Sequence, residues 1–404
     1  MKHQFDIIMY TNSREIGTSS ISDEYRFPLI YTFANQMRKI GKVVVITNII
    51  PFVLFPLKYL RLSIRKDLKM KCMQYEENLF VYSFPSLLPL SLIDRNFPLS
   101  AISLNKIRHM LKIALNGLGI SHSRKKVAWF AHPLHLNYLN MAGENLSIYE
   151  CHDDYSLLGR KNRDISVLVK EEKLARSVNL IFATSQSLTE RLLGFNSNTY
   201  YFPNACDYEM FHEAQNPNMP IPEKLNPFPR PIIGFMGNLF KWYNYDLLEK
   251  VISLKKEWSF VFIGEIHSNA RKFCQNLWKY PNAQHLGWQD FDKLPSFLKG
   301  YDVAIMPYNV DELTHTVNPD KMWQYMAAGV PIVATPTREI MRFKDIIEIG
   351  NDVPSFILAI EKALKKKDDH RFIKEMTQIA QNESLKARTK FVFDLIDKNL
   401  DQNL

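Results

Sequence analysis

Residues 318–335 read NPDKMWQYMAAGVPIVAT, which predicts a helix followed at once by a short buried strand. Asn318 is placed to cap this helix and Pro319 to fill its first position, where the missing N–H costs nothing. Gly329 is expected to end the helix. The side chains predicted to pack inward are Met322, Tyr325 and Met326.

Lys321 is unusual in such a helix, because the helix dipole disfavours a cation in the first turn by about a few tenths of a kcal/mol. A bound anion would reverse that sign, since exposed N–H groups and a lysine together form a phosphate site. Gln324, one turn further on, could hydrogen-bond a sugar hydroxyl. The alternative is a solvated lysine on an ordinary helix.

The composition is that of a folded, globular chain. With 404 residues it is too long for one compact core, and two domains are expected. Hydrophobic residues make up 46% and charged residues 23% of the chain. The net charge of +9 favours an anionic partner, such as a phosphorylated ligand, an acidic membrane surface or a nucleic acid. No helix-turn-helix, zinc or aromatic-basic module supports the nucleic acid.

The cysteines suggest a reducing compartment. Cys72, Cys151, Cys206 and Cys274 lie far apart, without a CxxC pair or zinc spacing. The N-terminus lacks a signal-peptide pattern, so a cytosolic location is expected. No apolar run reaches the roughly eighteen residues of a spanning helix, which argues against an integral membrane protein.

The first half of the chain alternates strand and helix patterns. Strands are predicted in FDIIMY, KVVVITN, VAWFAHP, LSIYECHDD and LIFATS, and helices from about residue 23, over about 164–177 and after Ser185. This alternation is typical of a Rossmann-like parallel sheet. No GxGxxG follows the first strand, so nothing indicates a dinucleotide.

One predicted strand ends in His152, Asp153 and Asp154. Ligands of open parallel sheets bind outside the carboxyl ends of the strands, so this carboxylate pair is well placed for chemistry. One aspartate with a raised pKa could act as a general base. The alternative is that one aspartate caps the next helix and the other is solvated.

The stretch from residue 49 to 119 mixes large apolar residues with lysine and arginine and is broken by prolines. Basic residues beside apolar surface are typical of a segment that lies on a membrane. Inserted core helices with solvated basic faces are the alternative.

The second half repeats the strand and helix alternation after a proline-rich stretch, which predicts a linker. Its first strand runs into a turn at Met236, Gly237 and Asn238, where the glycine permits close approach to a ligand. Further strands are predicted in WSFVFIG, AQHLG, DVAIMP, PIVAT and IIEIG.

In sequence order, the segments FATSQSLTERL, GFMGNLFKWYNYDLL, WSFVFIGE and NPDKMWQYMAAGVPIVATPTREI resemble GT-B glycosyltransferases, and bacterial polysaccharide enzymes of the teichuronic-acid and xanthan-glucuronosyltransferase type in particular. The resemblance implies an α/β fold of two Rossmann-like, doubly wound domains facing a central cleft. It implies an acceptor domain at 1–205, a linker at 206–230, a nucleotide-sugar domain at 231–383 and a helix at 384–404 crossing back to the first domain.

The resemblance also implies roles for individual residues. Lys321 would contact the donor phosphates, and Gln324 stands where many retaining relatives carry the second glutamate of an E-x7-E pair. Thr316 occupies the partner position, so that motif is absent and Asp153 or Asp154 becomes the expected base of an inverting enzyme, with His152 on the acceptor side. The donor-binding residues are predicted to be Met236, Gly237, Asn238, Tyr308, Lys321, Met322 and Gln324.

The expected function is transfer of a hexosyl or glycuronosyl group from a nucleoside diphosphate sugar, expected to be UDP-linked, to a lipid-linked or growing bacterial surface glycan. No cofactor or metal is expected, and the enzyme is expected at the inner face of the cell membrane. Two alternatives remain open: a non-catalytic two-lobed binding protein and a retaining glycosyltransferase.

Overall fold

A computed structural model of the protein describes residues 5–11, 38, 41–48, 71–84, 98–120, 124–158 and 162–402. The chain divides into two compact units. The first contains the described residues up to Thr184, together with Leu188–Phe202 and the chain from Thr389 onward. The second contains Ser185–Ser187 and Pro203–Arg388.

The sheet of the first unit has the strand order β3-β4-β2-β1-β5-β6-β7-β8. Neighbouring strands are parallel except β3 and β4, which form an antiparallel pair. The strands are β1 (Phe5–Thr11), β2 (Val43–Asn48), β3 (Lys71–Glu76), β4 (Leu79–Phe84), β5 (Lys125–Phe130), β6 (Leu146–Cys151), β7 (Leu180–Ala183) and β8 (Thr199–Tyr201). The predicted strands of the first half all form, and their near-continuous apolar runs are those of parallel strands buried on both faces.

The β3 and β4 hairpin lies inside the stretch that the sequence predicts as irregular. Asn78, with φ of 62°, sits in the tight turn between its strands. Asparagine tolerates this left-handed conformation better than most residues, which explains a turn without glycine. The predicted helix from residue 23 and most of the basic, apolar stretch before residue 98 lie outside the described residues.

The helices that lie between these strands in sequence are α1 (Pro98–Gly117), α2 (Ile165–Ser177) and α3 (Gln186–Leu193), with a short 3-10 helix at Pro133–Tyr138. They belong to the first unit, except that the first two residues of α3 belong to the second. The carboxylate of Asp164 accepts the Ser166 N–H and caps α2, so that helix begins where the sequence predicts it. Its last residue is Ser177, also as predicted.

The sheet of the second unit is wholly parallel, with the order β11-β10-β9-β12-β13-β14. Its direction of winding reverses between β9 and β12, and ligands of doubly wound sheets bind at such a reversal. The strands are β9 (Ile232–Met236), β10 (Ser259–Ile263), β11 (Ala283–His285), β12 (Val303–Met306), β13 (Ile332–Ala334) and β14 (Glu348–Ile349).

The helices of the second unit are α4 (Tyr208–His212), α5 (Tyr245–Leu254), α6 (Arg271–Leu277), α7 (Leu294–Lys299), α8 (Asp320–Ala328), α9 (Arg338–Met341), α10 (Val353–Lys366) and α11 (His370–Asn382). The structure corrects the prediction of a linker at 206–230, because these residues belong to the second unit. Phe211, Ala214 and Leu225 are buried in its core, so the proline-rich stretch is part of the domain. The proline content of the stretch does not reveal that these apolar side chains are buried.

The last helix is α12 (Leu385–Gln402), and its residues from Thr389 onward belong to the first unit. There the ring of Phe391 contacts Phe182 and Phe202, and Lys125 Nζ donates to the Leu400 carbonyl at 3.1 Å. Within the described ranges, no helix is long and apolar enough to cross a membrane.

Candidate donor site and acceptor-side carboxylates

The helix that carries Lys321 is α8, and it begins at Asp320 rather than one residue earlier. Pro319 takes the capping position, so the prediction that Asn318 caps the helix is wrong. The Asn318 amide instead accepts the Trp323 indole N–H at 3.0 Å and donates to Glu339 at 3.1 Å. All three side chains are buried, so satisfying their polar atoms outweighs a cap.

The predicted inward face of α8 is confirmed, because Met322, Tyr325 and Met326 are fully buried. The Tyr325 hydroxyl accepts the Met236 N–H at 2.8 Å and lies 3.2 Å from the Met236 carbonyl. These two contacts between Tyr325 and Met236 hold α8 against the end of β9. Gly329 ends the helix as predicted, with φ of 74°.

One residue predicted to contact the donor, Met322, is completely buried. The Met322 side chain has no exposed surface and belongs to the core of the second unit. Its neighbour Lys321 is only half-buried. The resemblance predicts both residues as donor contacts, but adjacent helix positions point in different directions.

The Lys321 ammonium is held by aromatic side chains. Its Nζ donates to the Tyr243 hydroxyl at 2.9 Å and lies 3.4 Å from the Tyr308 hydroxyl. It also lies 5.4 to 5.7 Å from the ring centroids of Phe235, Tyr243 and Tyr308. Among the described residues no carboxylate forms an ion pair with it, so its charge is positioned but not neutralised. This arrangement disfavours the reading of a freely solvated lysine.

Tyr308 is buried, and burial raises the pKa of its hydroxyl well above the ordinary value, with Tyr243 adding to the shift. The hydroxyl therefore stays neutral beside Lys321. The Tyr308 carbonyl accepts the Thr335 hydroxyl at 2.8 Å, which ties the ends of β12 and β13 together.

Gly237 lies directly against Lys321. Its φ of 132° is one that other residues rarely adopt, and a Cβ atom there would stand 3.0 Å from Lys321 Cε and 3.4 Å from Nζ. Gly264, at the end of the neighbouring strand, has φ of 127°, and a Cβ on it would overlap the Gly237 backbone. The exposed Asn238 accepts the Glu265 N–H at 3.1 Å, which holds the two turns together.

The second unit thus gathers Gly237, Asn238, Tyr308 and Lys321 at the carboxyl ends of β9 and β12. Gln324 is half-buried on α8, one turn after Lys321, and its side chain has no hydrogen-bond partner in the described part of the chain. The Thr316 hydroxyl donates to the Leu313 carbonyl at 2.7 Å. The Lys321 ammonium and the first N–H groups of α8 can bind a phosphate, and the Gln324 amide can hydrogen-bond a sugar. Together these groups suit a phosphorylated sugar.

We expect Gly237→Val to lower affinity for UDP by at least tenfold, because the new side chain would press on Lys321 and strain the turn. Titration of UDP into the folded variant measures this. Gly117→Val is the matched control, since a Cβ there meets nothing within 4 Å. Unchanged UDP affinity in a folded Gly237→Val protein would remove this turn from the site.

The two aspartates predicted as candidate bases have different surroundings. Asp154 is buried, accepts the Ser156 N–H at 3.1 Å and its hydroxyl, and pairs with Arg163 at 2.7 Å. Burial raises its pKa, but the Ser156 hydrogen bond and the charges of Arg191 and Arg163 outweigh it and lower the pKa below the ordinary value. Asp154 is therefore a fixed anion that shapes its loop.

Asp153 is half-buried, and its carboxylate accepts no hydrogen bond from another described residue. Burial raises its pKa above the ordinary value, His152 opposes the shift, and the charge of Asp154 adds to it. A carboxylate without partners and with a raised pKa has the properties of a general base. The structure thus separates two residues that the sequence leaves equivalent.

His152 lies with its Nε2 atom 3.3 Å from Glu150, which also accepts the Trp129 indole N–H at 2.6 Å. Sequence reasoning missed Glu150, because it sits inside the β6 run and its burial depends on the neighbouring strand. Asp153 and Lys321 belong to different units of the chain. Within the described ranges, no group of three or more histidine, cysteine, aspartate or glutamate side chains could hold a metal ion.

Comparison with known proteins bears directly on the second unit. Residues 230–382 match the sequence model of a family described as Glycosyl transferases group 1. The chain carries a group 1 glycosyl transferase domain. That domain contains Gly237, Tyr308, Lys321 and Gln324, and it confirms the prediction that the protein is a glycosyltransferase.

One curated relative is TuaH of Bacillus subtilis (strain 168), whose name marks it as a candidate teichuronic acid biosynthesis glycosyltransferase. It is 24% identical over 293 residues, which cover 68% of this chain and 73% of TuaH. The glycosyltransferase resemblance predicted from sequence is thereby confirmed.

Solved structures of similar fold cover nearly the whole chain. Sucrose-phosphate synthase from Thermosynechococcus elongatus has a TM-score of 0.71 at 12% identity, over 98% of this chain and 99% of its own. HepE from Anabaena, solved with UDP and glucose, has a TM-score of 0.65 at 13% identity, over 98% and 100%. These likenesses, with the two Rossmann-like sheets, confirm the predicted GT-B fold.

Proposed function

We propose that this glycosyltransferase moves a sugar from a UDP-linked donor to a hydroxyl of a lipid-linked or growing bacterial surface glycan, with inversion at the anomeric carbon. The observation that carries the proposal is the Lys321 ammonium, held by two tyrosines beside Gly237 in the group 1 domain. HepE was solved with UDP and with UDP-glucose, which supports a uridine donor.

The donor diphosphate is the expected partner of Lys321. Its negative charge would meet the ammonium and the first N–H groups of α8. These groups matter most when the bond from the anomeric carbon to phosphate breaks and the diphosphate leaves with the electron pair. Gln324, one turn on, is expected to hydrogen-bond the sugar part of the nucleotide.

Asp153 is the proposed base. It takes the proton of the acceptor hydroxyl as that oxygen attacks the anomeric carbon from the face opposite the diphosphate. Asp154 and Arg163 hold the loop in which Asp153 sits. No cofactor or metal is proposed, because Lys321 and the first N–H groups of α8 would stabilise the charge of the leaving diphosphate.

A panel of UDP-sugars and guanosine and thymidine diphosphate sugars tests this function by release of the nucleoside diphosphate. We expect turnover with a uridine donor and an acceptor glycan from a bacterial envelope. A protein that bound UDP-sugar but released no UDP under any condition would instead support a non-catalytic binding role.

We also propose that the first unit rests on the anionic inner face of the cell membrane. The helix α1 contains no acidic residue, and it exposes the cationic side chains of Arg108 and Lys112 as well as the apolar side chains of Ile102 and Ile113. A helix that exposes both cationic and apolar groups matches a lipid headgroup layer. This observation supports the membrane prediction within the described residues.

We expect the protein to float with phosphatidylglycerol vesicles at low salt and to dissociate as salt rises, because exposed charges are screened over about 10 Å at 0.1 M. Arg108→Gln with Lys112→Gln should reduce flotation severalfold. Lys272→Gln with Lys279→Gln, two exposed lysines of the second unit, is the matched control. No flotation of the parent protein at low salt would contradict the proposal.

A further inference from the structure

His132 lies two residues beyond β5, at the carboxyl edge of the first sheet. β5 pairs in parallel with β6, and Asp153 lies two residues beyond β6. The Tyr155 ring lies against His132 with centroids 4.2 Å apart, and the Tyr155 N–H donates to the Asp153 carbonyl at 3.0 Å. Tyr155 therefore links the two residues, through its ring to His132 and through its backbone N–H to the Asp153 carbonyl.

The hydrogen bonds of His132 fix where its proton lies. The Leu134 N–H donates to His132 Nδ1 at 3.0 Å, and an atom that accepts from an amide carries no proton. Burial lowers the pKa of His132 to about 4, and the charge of Lys170 adds to this effect. The neutral ring consequently carries its proton on Nε2, which has no hydrogen-bond partner among the described residues.

We propose that His132 binds the acceptor sugar by donating its Nε2 proton to a hydroxyl oxygen next to the hydroxyl that Asp153 deprotonates. This role rests on the proposed function and adds an acceptor-recognition residue to it. A carboxylate can only accept and this imidazole nitrogen can only donate, so the pair complements two neighbouring hydroxyls of a sugar. A neutral donor suits a neutral hydroxyl, since it requires no buried charge.

A purely structural role would involve the other ring nitrogen. His132 caps the 3-10 helix Pro133–Tyr138 through Nδ1, and that bond accounts for Nδ1 alone. Asparagine can retain the cap, because its oxygen reaches the Nδ1 position, but it has no atom at Nε2. Glutamine can place an N–H near the Nε2 position but loses the cap. The two variants thus separate recognition from structure.

The test measures KM for octyl glycosides, as soluble surrogates of a lipid-linked sugar, with the UDP-sugar that the parent uses fastest. We expect His132→Asn to raise the acceptor KM about three- to tenfold, the size of one neutral hydrogen bond, with UDP affinity unchanged. His132→Gln should keep the acceptor KM closer to that of the parent while its melting temperature falls. Parental KM in His132→Asn with impaired KM in His132→Gln would overturn the recognition role.

The outcomes also distinguish this inference from the proposed function. A parent protein that transfers sugar, with a His132→Asn variant of unchanged acceptor KM, would refute only the role of His132. A parent protein that releases no UDP from any UDP-sugar, with or without octyl glycosides, would refute the transfer itself and the His132 role with it.

Discussion

Replacement of Asp153 by asparagine is expected to lower turnover by about 10²- to 10⁴-fold, the usual contribution of a general base. Asparagine preserves size and polarity but cannot take the acceptor proton. UDP affinity should stay nearly constant, because the donor contacts proposed here belong to the second unit. Turnover at saturating donor and acceptor, with UDP titration beside it, measures both quantities.

The same carboxylate predicts a pH effect on activity. Only the deprotonated form can act as a base, so kcat/KM should fall as the pH drops through the pKa of Asp153. Burial and the charge of Asp154 raise that pKa, so the acidic limb should lie above the ordinary aspartate range. Asp153→Asn should abolish the limb. An unchanged limb in that variant would assign the base elsewhere.

Asp154→Asn is the matched control, and its expected effect is on stability. The variant removes the charge that pairs with Arg163 and accepts from Ser156, which should lower the free energy of unfolding by about 1 to 3 kcal/mol. Its turnover should fall less than that of Asp153→Asn. A larger loss of turnover in Asp154→Asn than in Asp153→Asn, without a change in melting temperature, would indicate that Asp154 is the base.

Lys321→Ala is expected to weaken UDP-sugar binding and turnover by about 10- to 150-fold, which corresponds to about 1.5 to 3 kcal/mol for a charge-assisted hydrogen bond. Alanine also removes the contacts with Tyr243 and Tyr308, so the folded state must be checked by its melting temperature. Lys272→Ala, an exposed lysine on α6, is the matched control and should match the parent.

A second readout of Lys321 is the salt dependence of UDP affinity. The parent protein should lose affinity as ionic strength rises, and the Lys321→Ala variant should lose less, because one charge of the attraction is gone. Parental affinity and parental salt dependence in Lys321→Ala would show that the ammonium does not face the diphosphate.

The two parallel sheets could be predicted from sequence because their signals are local. Runs such as VVVIT and IIGFM are β-branched or apolar throughout, and the helices between them carry recognisable ends such as Asp164 and Gly329. The turn at Gly237 was also predictable, since a glycine after the first strand of a Rossmann-like unit permits a close approach.

The parts that could not be predicted depend on side-chain hydrogen bonds that form only once the chain is folded. Asn318 is a residue type that often caps helices, but its side chain instead forms buried hydrogen bonds with Glu339 and Trp323. Asp153 and Asp154 cannot be distinguished by their spacing in the sequence. In the folded chain, Arg163 and Ser156 hydrogen-bond the carboxylate of Asp154 and so hold it in place. His132 resembles any loop histidine until the Leu134 N–H fixes its tautomer.

Proton NMR of the complete reaction can show whether transfer from a UDP-sugar inverts the anomeric carbon and depends on Asp153. The spectrum follows the anomeric signal of the donor as it disappears and that of the product as it forms. We predict a product of opposite anomeric configuration in the parent protein, and a rate about 10²-fold or more lower in Asp153→Asn. A product that retains the donor configuration, formed at the parental rate by Asp153→Asn, would show that the transfer is not inverting and that Asp153 is not its base.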